Sequence, residues 1–362
     1  MEKELKLMKG NEAIAEGAIR AGADAYFGYP ITPQSEVIEY LMTVKPYETT
    51  GMVVLQAESE VAAINMVYGA AACGRKTMTS SSSPGISLKQ EGITYIAGAE
   101  LPCLILNVVR GGPGLGTIQP AQSDYFQATK GGGHGDYRMI VLAPASVQEM
   151  FDFAELGFDL AFKYRNPVMI LSDGIIGQMM EKVELTPQKP RKTSEEIIKE
   201  CPWATTGKPA TRERNIITSL DLVAANQYKF NLKLLEKYEQ IKKNEVRYET
   251  FQCEDADYIM VAYGSSARLC MKTVELLRAK GIKAGLLRLI TLFPFPTAII
   301  NQLADKAKGF LAVEMSAGQM VEDVELAVKG KTLVQHYGKM GGLIPSPEEI
   351  AEALEQKIIG GK

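Results

Sequence analysis

Met52-Val53-Val54-Leu55-Gln56-Ala57-Glu58-Ser59-Glu60-Val61-Ala62-Ala63-Ile64-Asn65-Met66-Val67-Tyr68 reads as a strand that gives way to a helix, with carboxylates at the joint. The opening apolar run suits a strand, and the residues from Val61 onward, almost all apolar, suit a packed helix. A carboxylate half-buried at that joint is costly unless something pairs with it. Glu58 and Glu60 both qualify. Glu58 stands nearer the strand end and would serve equally as a helix-start charge favoured by the macrodipole, whereas Glu60, with small and apolar neighbours, can point into a crevice at the sheet edge.

The same strand–helix rhythm extends in both directions. Strands are expected at 53–55, 77–80, 104–109, 139–143 and 168–171. Between the last two, Val147, Phe151, Ala154, Phe158 and Ala161 repeat at spacings of four and three, the stripe of a helix packed on a sheet. Apolar runs alternating with helices predict an α/β fold with a doubly wound, mostly parallel sheet over residues 1–185. From about Val183 the periodicity fades into Pro187, Pro190, Pro202 and Pro209 among charged residues, which predicts a connecting arm over 186–254. Within it, residues 220–244 read as an amphipathic helix whose Lys229, Lys233, Glu236, Lys237 and Glu239 suggest a solvated face. The rhythm resumes over 255–362 with strands at 258–262, 285–289 and 310–314, which predicts a second, smaller α/β domain.

Composition excludes several classes. A 362-residue chain with 46% apolar content supports substantial cores, and a net charge of −3 offers no footprint for nucleic acid or an anionic membrane. The N-terminus, Met1-Glu2-Lys3-Glu4-Leu5-Lys6-Leu7-Met8-Lys9-Gly10, lacks the apolar run of a secretion signal, and no span reaches membrane length, so a cytoplasmic protein is expected. The five cysteines are scattered without a Cys-x-x-Cys pair and the histidines are two, so no metal cluster is expected on this chain.

Several loops have residue types suited to chemistry. In Gly28-Tyr29-Pro30-Ile31-Thr32-Pro33-Gln34-Ser35-Glu36 two prolines restrict the backbone around Thr32, which either fixes a hydroxyl in a site or caps a helix beginning at Pro33. Arg110 ends an apolar strand at the edge where open α/β sheets bind ligands, placed to grip a carboxylate with two parallel hydrogen bonds or to pair with a neighbouring acid. Gly111-Gly112-Pro113-Gly114-Leu115-Gly116 fails the Gly-x-Gly-x-x-Gly pattern, because Pro113 and Thr117 stand where it does not allow them and no helix follows at once. It reads as a substrate-facing loop. Thr79-Ser80-Ser81-Ser82-Ser83-Pro84-Gly85 resembles a phosphate cradle but lacks a Walker lysine, and suits either a ligand-lining loop or an ordinary helix start. His134, in a glycine-rich loop, is a candidate for an active-site, interface or merely structural residue.

Taken together, Tyr29 to Glu36, Glu60 and Arg110 resemble the pyrimidine-binding domain of thiamine-diphosphate-dependent 2-oxoacid:ferredoxin oxidoreductases, and the resemblance covers almost the whole chain. It implies a C-terminal domain like the last domain of transketolases. It also implies that Glu60, in Ser59-Glu60-Val61-Ala62-Ala63, is the catalytic glutamate. In that role the carboxylate binds N1′ of the cofactor's aminopyrimidine and favours the tautomer whose exocyclic nitrogen removes the thiazolium C2 proton. Tyr29, Pro30, Ile31 and Thr32 are implied to line the cofactor, with Thr32 beside the substrate's reacting end and Arg110 on its carboxylate.

Asp173, in Leu171-Ser172-Asp173-Gly174, only partly resembles the metal–diphosphate motif, since Ser172 replaces its first Gly and no convincing Asn follows. The resemblance therefore implies a β-type partner subunit that carries the diphosphate and Mg²⁺ site, with 4Fe-4S clusters also on partners, further γ- and δ-type subunits, and ferredoxin as electron acceptor. The implied reaction is the coenzyme A-dependent oxidative decarboxylation of a 2-oxoacid. The segments 55–60, 81–91 and 110–116 are closest to the branched-chain branch of the family. Residues 111–129 hold no Lys, Arg or His for a second carboxylate, which favours 3-methyl-2-oxobutanoate over 2-oxoglutarate as substrate. A nucleotide-dependent dehydrogenase would need the missing glycine fingerprint, and a non-catalytic assembly subunit would tolerate loss of Glu60 and Arg110.

Overall fold

A computed structural model describes residues 4–208, 210 and 212–360. Met1, Glu2 and Lys3 of the N-terminal segment and Pro209 of the arm lie outside the described residues. The chain begins with β1 (Glu4–Lys9), α1 (Gly10–Arg20), β2 (Ala25–Gly28), α2 (Ser35–Val44), α3 (Pro46–Thr50), β3 (Val53–Gln56), α4 (Glu60–Ala72), β4 (Thr77–Ser81), α5 (Ser83–Gly98) and β5 (Cys103–Val109). It continues through α6 (Tyr125–Thr129), β6 (Ile140–Leu142), α7 (Val147–Tyr164), β7 (Pro167–Asp173), α8 (Gly174–Gln178) and β8 (Met180–Leu185). The arm contains α9 (Ser194–Glu200) and α10 (Ala224–Asn244). The remainder comprises β9 (Tyr248–Phe251), β10 (Tyr258–Tyr263), α11 (Gly264–Ala279), β11 (Ala284–Leu289), β12 (Thr291–Phe293), α12 (Thr297–Leu303), β13 (Gly309–Val313), α13 (Met320–Val328), β14 (Leu333–Tyr337) and α14 (Pro347–Leu354).

The first sheet has the order β12-β6-β7-β5-β4-β2-β3, parallel throughout except where β12 joins β6 antiparallel. Its central strands β5 and β7 are buried along their whole length, as expected of strands covered by helices on both faces. The stripe Val147, Phe151, Ala154, Phe158 and Ala161 on α7 is entirely buried against it. The connection from β2 runs toward β3 and that from β4 toward β5, on opposite sides, so the sheet's switch point lies between β2 and β4. Ligands of open α/β folds sit outside the carboxyl ends of the strands at such a point.

The second sheet has the order β14-β13-β10-β11-β9, with only β9 antiparallel. It adheres to the first through buried polar groups. Gln122 donates from Nε2 to the Tyr263 carbonyl at 2.9 Å and from its backbone amide to the Met315 carbonyl at 2.9 Å, while its Oε1 accepts the Ser266 hydroxyl at 2.6 Å and the Met315 amide at 3.0 Å. Asp173 caps α8 through the amides of Ile175 and Ile176 and also accepts the Ser265 hydroxyl at 2.6 Å and its amide at 3.2 Å. Burial pushes the Asp173 carboxyl upward although these donors oppose the shift. Gly264, at φ +54°, is required here, because a Cβ would stand 3.0 Å from Gln122 Nε2 and 3.1 Å from Asp173 Oδ2.

Two expectations for the arm need correction. Val183 belongs to β8, which pairs antiparallel with β1, a partner too far away in sequence for local periodicity to reveal. α10 starts at Ala224 and not at Leu220, because Thr218 and Asp221 side chains take the amides of Leu220 and Val223 in local turns that compete with a helix. Its charged face is also partly engaged. Lys233 and Lys237 both pair with the buried Glu100, and Lys237 also donates to the Arg165 carbonyl at 3.1 Å.

Asp173→Ala would leave buried helix amides and the Ser265 hydroxyl without an acceptor, at a cost of roughly 2–3 kcal/mol. Guanidinium unfolding should show a lower midpoint than the parent chain. An unchanged midpoint would mean that this clasp contributes nothing to holding the sheets together.

Candidate functional site

The expected site residues converge at the carboxyl edge of the first sheet, on the loops after β2, β3, β4 and β5. Ser59, the N-cap of α4, accepts the Ala62 amide and so starts the helix at Glu60. This separates the two candidate carboxylates. Glu58 is exposed and accepts the Ser59 hydroxyl at 2.9 Å, whereas Glu60 is 7% exposed and accepts no hydrogen bond from any described residue. A nearly buried carboxylate without donors is an uncommon and expensive arrangement. The room for it comes from Gly85 in the first turn of α5, where a Cβ would lie 2.7 Å from Glu60 Oε1 and 2.1 Å from Ser81 Oγ. The Ser81 and Ser82 hydroxyls are buried and likewise lack partners.

The loop at 29–32 is held from beneath. Tyr26 donates to Ser80 at 2.6 Å, Ser80 to Gln34 at 2.5 Å, and the Gln34 amide to the Tyr29 carbonyl at 3.2 Å. Either hydroxyl of the Tyr26–Ser80 pair can be the donor, and only the outward direction lets Ser80 serve Gln34 as well. Thr32 is exposed and is not a helix cap, since α2 begins at Ser35 with Gln34 before it. Pro30 is exposed, and Tyr29 and Ile31 are half-buried.

Arg110 is 6% exposed and pairs with no acid among the described residues. Its Nη1 donates to the Thr32 carbonyl at 2.9 Å and its Nη2 to the Leu115 carbonyl at 3.0 Å, while Nε has no partner. Three of its five N–H donors stay available, enough for a carboxylate fork. The 111–116 loop folds back, with the Thr117 amide bonded to Gly111 and the Gly111 amide to Gln119. It leaves Leu115 and Ile118 exposed.

Other candidates lie elsewhere or act structurally. His134 is exposed, edge-on to Tyr95, and lines a hollow of about 360 Å³ with Leu220, Gln227 and Asn231 of the arm, a hollow that Glu60 does not line. Asp173 is the clasp described above. Among the described residues no group of three or more His, Cys, Asp or Glu is placed to hold a metal ion. Beside the site a cavity of about 680 Å³ is lined by Ser83, Pro84, Gly112, Asp124, Met315 and Met340, among others. A cleft of about 730 Å³ around Arg138, Lys242 and Phe293 contains none of the site residues.

One half-buried and one buried group escaped the reading of the sequence. Asp124 accepts Ser83 Oγ at 2.7 Å and Asn107 Nδ2 at 2.9 Å, and burial raises its carboxyl. Lys89 is fully buried on α5, donating to Thr79 Oγ1 at 2.6 Å and to the Ser80 carbonyl at 2.9 Å. Its position in the stripe Ile86, Lys89, Ile93, Ile96 was the available signal.

These residues fit half of a thiamine diphosphate. Glu60 offers an undonated carboxylate for a ring nitrogen, and Ser81 and Ser82 offer unpartnered hydroxyls in the same strand-to-helix turn.

Residues 16–250 match the family profile of pyruvate flavodoxin/ferredoxin oxidoreductases, thiamine diphosphate-binding, and residues 256–350 match pyruvate:ferredoxin oxidoreductase core domain II. The chain is 50% identical to ketoisovalerate oxidoreductase subunit VorB of Methanothermobacter thermautotrophicus over 97% of both chains. It is 38% identical to 2-oxoglutarate synthase subunit KorA of Archaeoglobus fulgidus over 98% of this chain and 100% of that one. Among solved structures it is similar to 2-oxoglutarate:ferredoxin oxidoreductase from Magnetococcus marinus, with TM-score 0.84, 29% identity, and coverage of 98% of this chain and 66% of that one. A split-gene transketolase shares the fold at TM-score 0.62 and 13% identity. No helix among the described residues is long and apolar enough to cross a membrane.

Gly85→Ala should turn the Glu60 carboxylate and the Ser81 hydroxyl aside at little cost in stability, because both are side-chain ends that can rotate. Thiamine diphosphate affinity of the reconstituted complex, measured by calorimetry, should fall roughly tenfold, the effect of one displaced hydrogen bond. Unchanged affinity would show that the cofactor does not depend on this turn.

Proposed function

The chain belongs to the 2-oxoacid:ferredoxin oxidoreductase family, and from that premise we propose that it is the pyrimidine-binding subunit of an enzyme acting on branched-chain 2-oxoacids, 3-methyl-2-oxobutanoate first among them. In the overall reaction the bond to the substrate carboxylate breaks and carbon dioxide leaves. The acyl group passes to the thiol of coenzyme A, and two electrons pass to ferredoxin. The observation that carries this reading is the pairing, at one sheet edge, of a buried carboxylate that no described residue donates to with a buried guanidinium that no described acid neutralises.

Thiamine diphosphate, when bound, supplies the carbon nucleophile and electron sink for the decarboxylation. Glu60 holds it by the pyrimidine, exchanging a proton at N1′. Arg110 takes the substrate carboxylate on its remaining N–H donors, while its bonds to the Thr32 and Leu115 carbonyls fix the guanidinium. Thr32, exposed at the rim, stands beside the reacting end, and Tyr29, Pro30 and Ile31 form the wall. A β-type subunit supplies Mg²⁺ and the diphosphate site, and partner subunits carry the 4Fe-4S clusters that pass electrons singly to ferredoxin. The complex works in the cytoplasm.

The preference for an apolar substrate rests on the 50% identity to the ketoisovalerate subunit and on the 111–129 segment, which lacks Lys, Arg and His and exposes Leu115 and Ile118. A 2-oxoglutarate specificity, as named for the KorA relatives, would require a second cation from a partner subunit.

In the reconstituted complex with a viologen dye as acceptor, kcat/KM should be highest for 3-methyl-2-oxobutanoate within a panel of 2-oxoacids. A clear preference for 2-oxoglutarate would overturn the substrate assignment. Glu60→Gln should leave the complex assembled and lower turnover at least about 100-fold, the scale of a lost acid–base group. Arg110→Gln should raise KM for the 2-oxoacid about 10–100-fold, the effect of a lost charge-assisted bond. Near-normal turnover after both substitutions would favour a scaffolding subunit.

A further inference from the structure

Lys89 takes no part in the proposed reaction, yet it is the least expected residue of the site. Its side chain is fully buried within the apolar stripe of α5. Its ammonium has two bonds, to Thr79 Oγ1 and to the Ser80 carbonyl, and no carboxylate in ion-pair contact among the described residues. Burying a cation in this way is costly, and an apolar side chain of similar length would fill the space without that cost. A purely structural tie between α5 and β4 therefore makes poor use of a charge.

The position of Glu60 supplies the use. Glu60 Oε1 lies against Gly85, four residues before Lys89 and hence on the same face of α5. The carboxylate thus faces the amino-terminal turn of a 16-residue helix with Lys89 one turn deeper. Burial pushes the Lys89 ammonium down to about 7, and the field of Glu60 works the other way, the one charged group so acting on it. The groups that bond it or bear on its charge are Thr79 and Ser80 of β4 and Glu60 of α4.

Resting on the reading of Glu60 given above, we propose that Lys89 is a positioning residue whose ammonium, one turn along α5 from the glycine that Glu60 packs against, sets a fixed positive charge behind that carboxylate and so favours the shared proton on N1′ of the bound pyrimidine. The step moves one proton from Glu60 Oε to the ring nitrogen and changes no oxidation state. Through the Ser80 carbonyl the same ammonium braces the strand end that holds Gln34 and the 29–32 loop. The bias is complete while Lys89 is protonated, and it fades as the pH rises through about 7.

The test is a double-mutant cycle in the reconstituted, thiamine-loaded complex, with Lys89→Gln keeping a donor, Lys89→Met removing it, and each combined with Glu60→Gln. The readout is the near-ultraviolet circular dichroism that distinguishes the ordinary amino form of the bound ring from its N1′-protonated forms. Melting temperature and turnover are recorded alongside. In the Glu60 background both Lys89 variants should shift the ring toward the ordinary amino form at about pH 6 and slow turnover about tenfold or more. In the Glu60→Gln background they should add nothing. At about pH 9 the unmutated complex should approach the Lys89→Met signature.

A signature unchanged in both Lys89 variants, or changed equally in the two backgrounds, would overturn the proposal and leave Lys89 a structural tie. Should Glu60→Gln itself leave the signature and turnover untouched, it is the reading of Glu60 that fails.

Discussion

A carboxylate kept from water without a donor of its own is the constraint around which this structure is arranged. Glu60 is 7% exposed, and no described residue donates to it. The fold tolerates the cost by placing it in the first turn of α4, against the glycine in the first turn of α5, so that two helix starts meet at it. A protein selected for stability alone would fill that turn with an apolar side chain. What the arrangement retains is a nearly buried acceptor with no donor of its own, which the proposed function assigns to the ring nitrogen.

The second sheet contributes to the same edge at a distance. Arg110 closes a bridge with Pro120, and two residues later Gln122 is locked between Tyr263, Ser266 and Met315. The segment that positions the guanidinium is therefore anchored at its far end by the neighbouring sheet. β12 joins the first sheet directly beside β6. The two sheets are thus one mechanical unit as far as the site is concerned, and loosening their junction would be felt at Arg110.

Much of the fold was legible because it rests on local pattern. The central strands β5 and β7 read as apolar runs and the stripe on α7 as alternation at four and three. What escaped was non-local. β8 pairs with β1 across the sequence, and β12, which directly follows a strand of the second sheet, joins the first, and neither event has a signature in a short window. The start of α10 was misplaced because Thr218 and Asp221 bond their own backbone. In the site, Glu60 and Arg110 stood out as charges at strand ends, whereas Lys89 passed as one more charge on a helix. Sequence left Glu58 and Glu60 open as alternatives, and burial distinguishes them, since only Glu60 turns inward.

The central claim is a contact between one side chain and one ring, and a structure of the assembled complex with thiamine diphosphate bound measures it directly. The account predicts a Glu60 carboxylate oxygen about 2.6–3.2 Å from N1′, the range of a working acid–base hydrogen bond. A pyrimidine held by Glu58, or by a carboxylate of a partner subunit with Glu60 beyond reach, would contradict it.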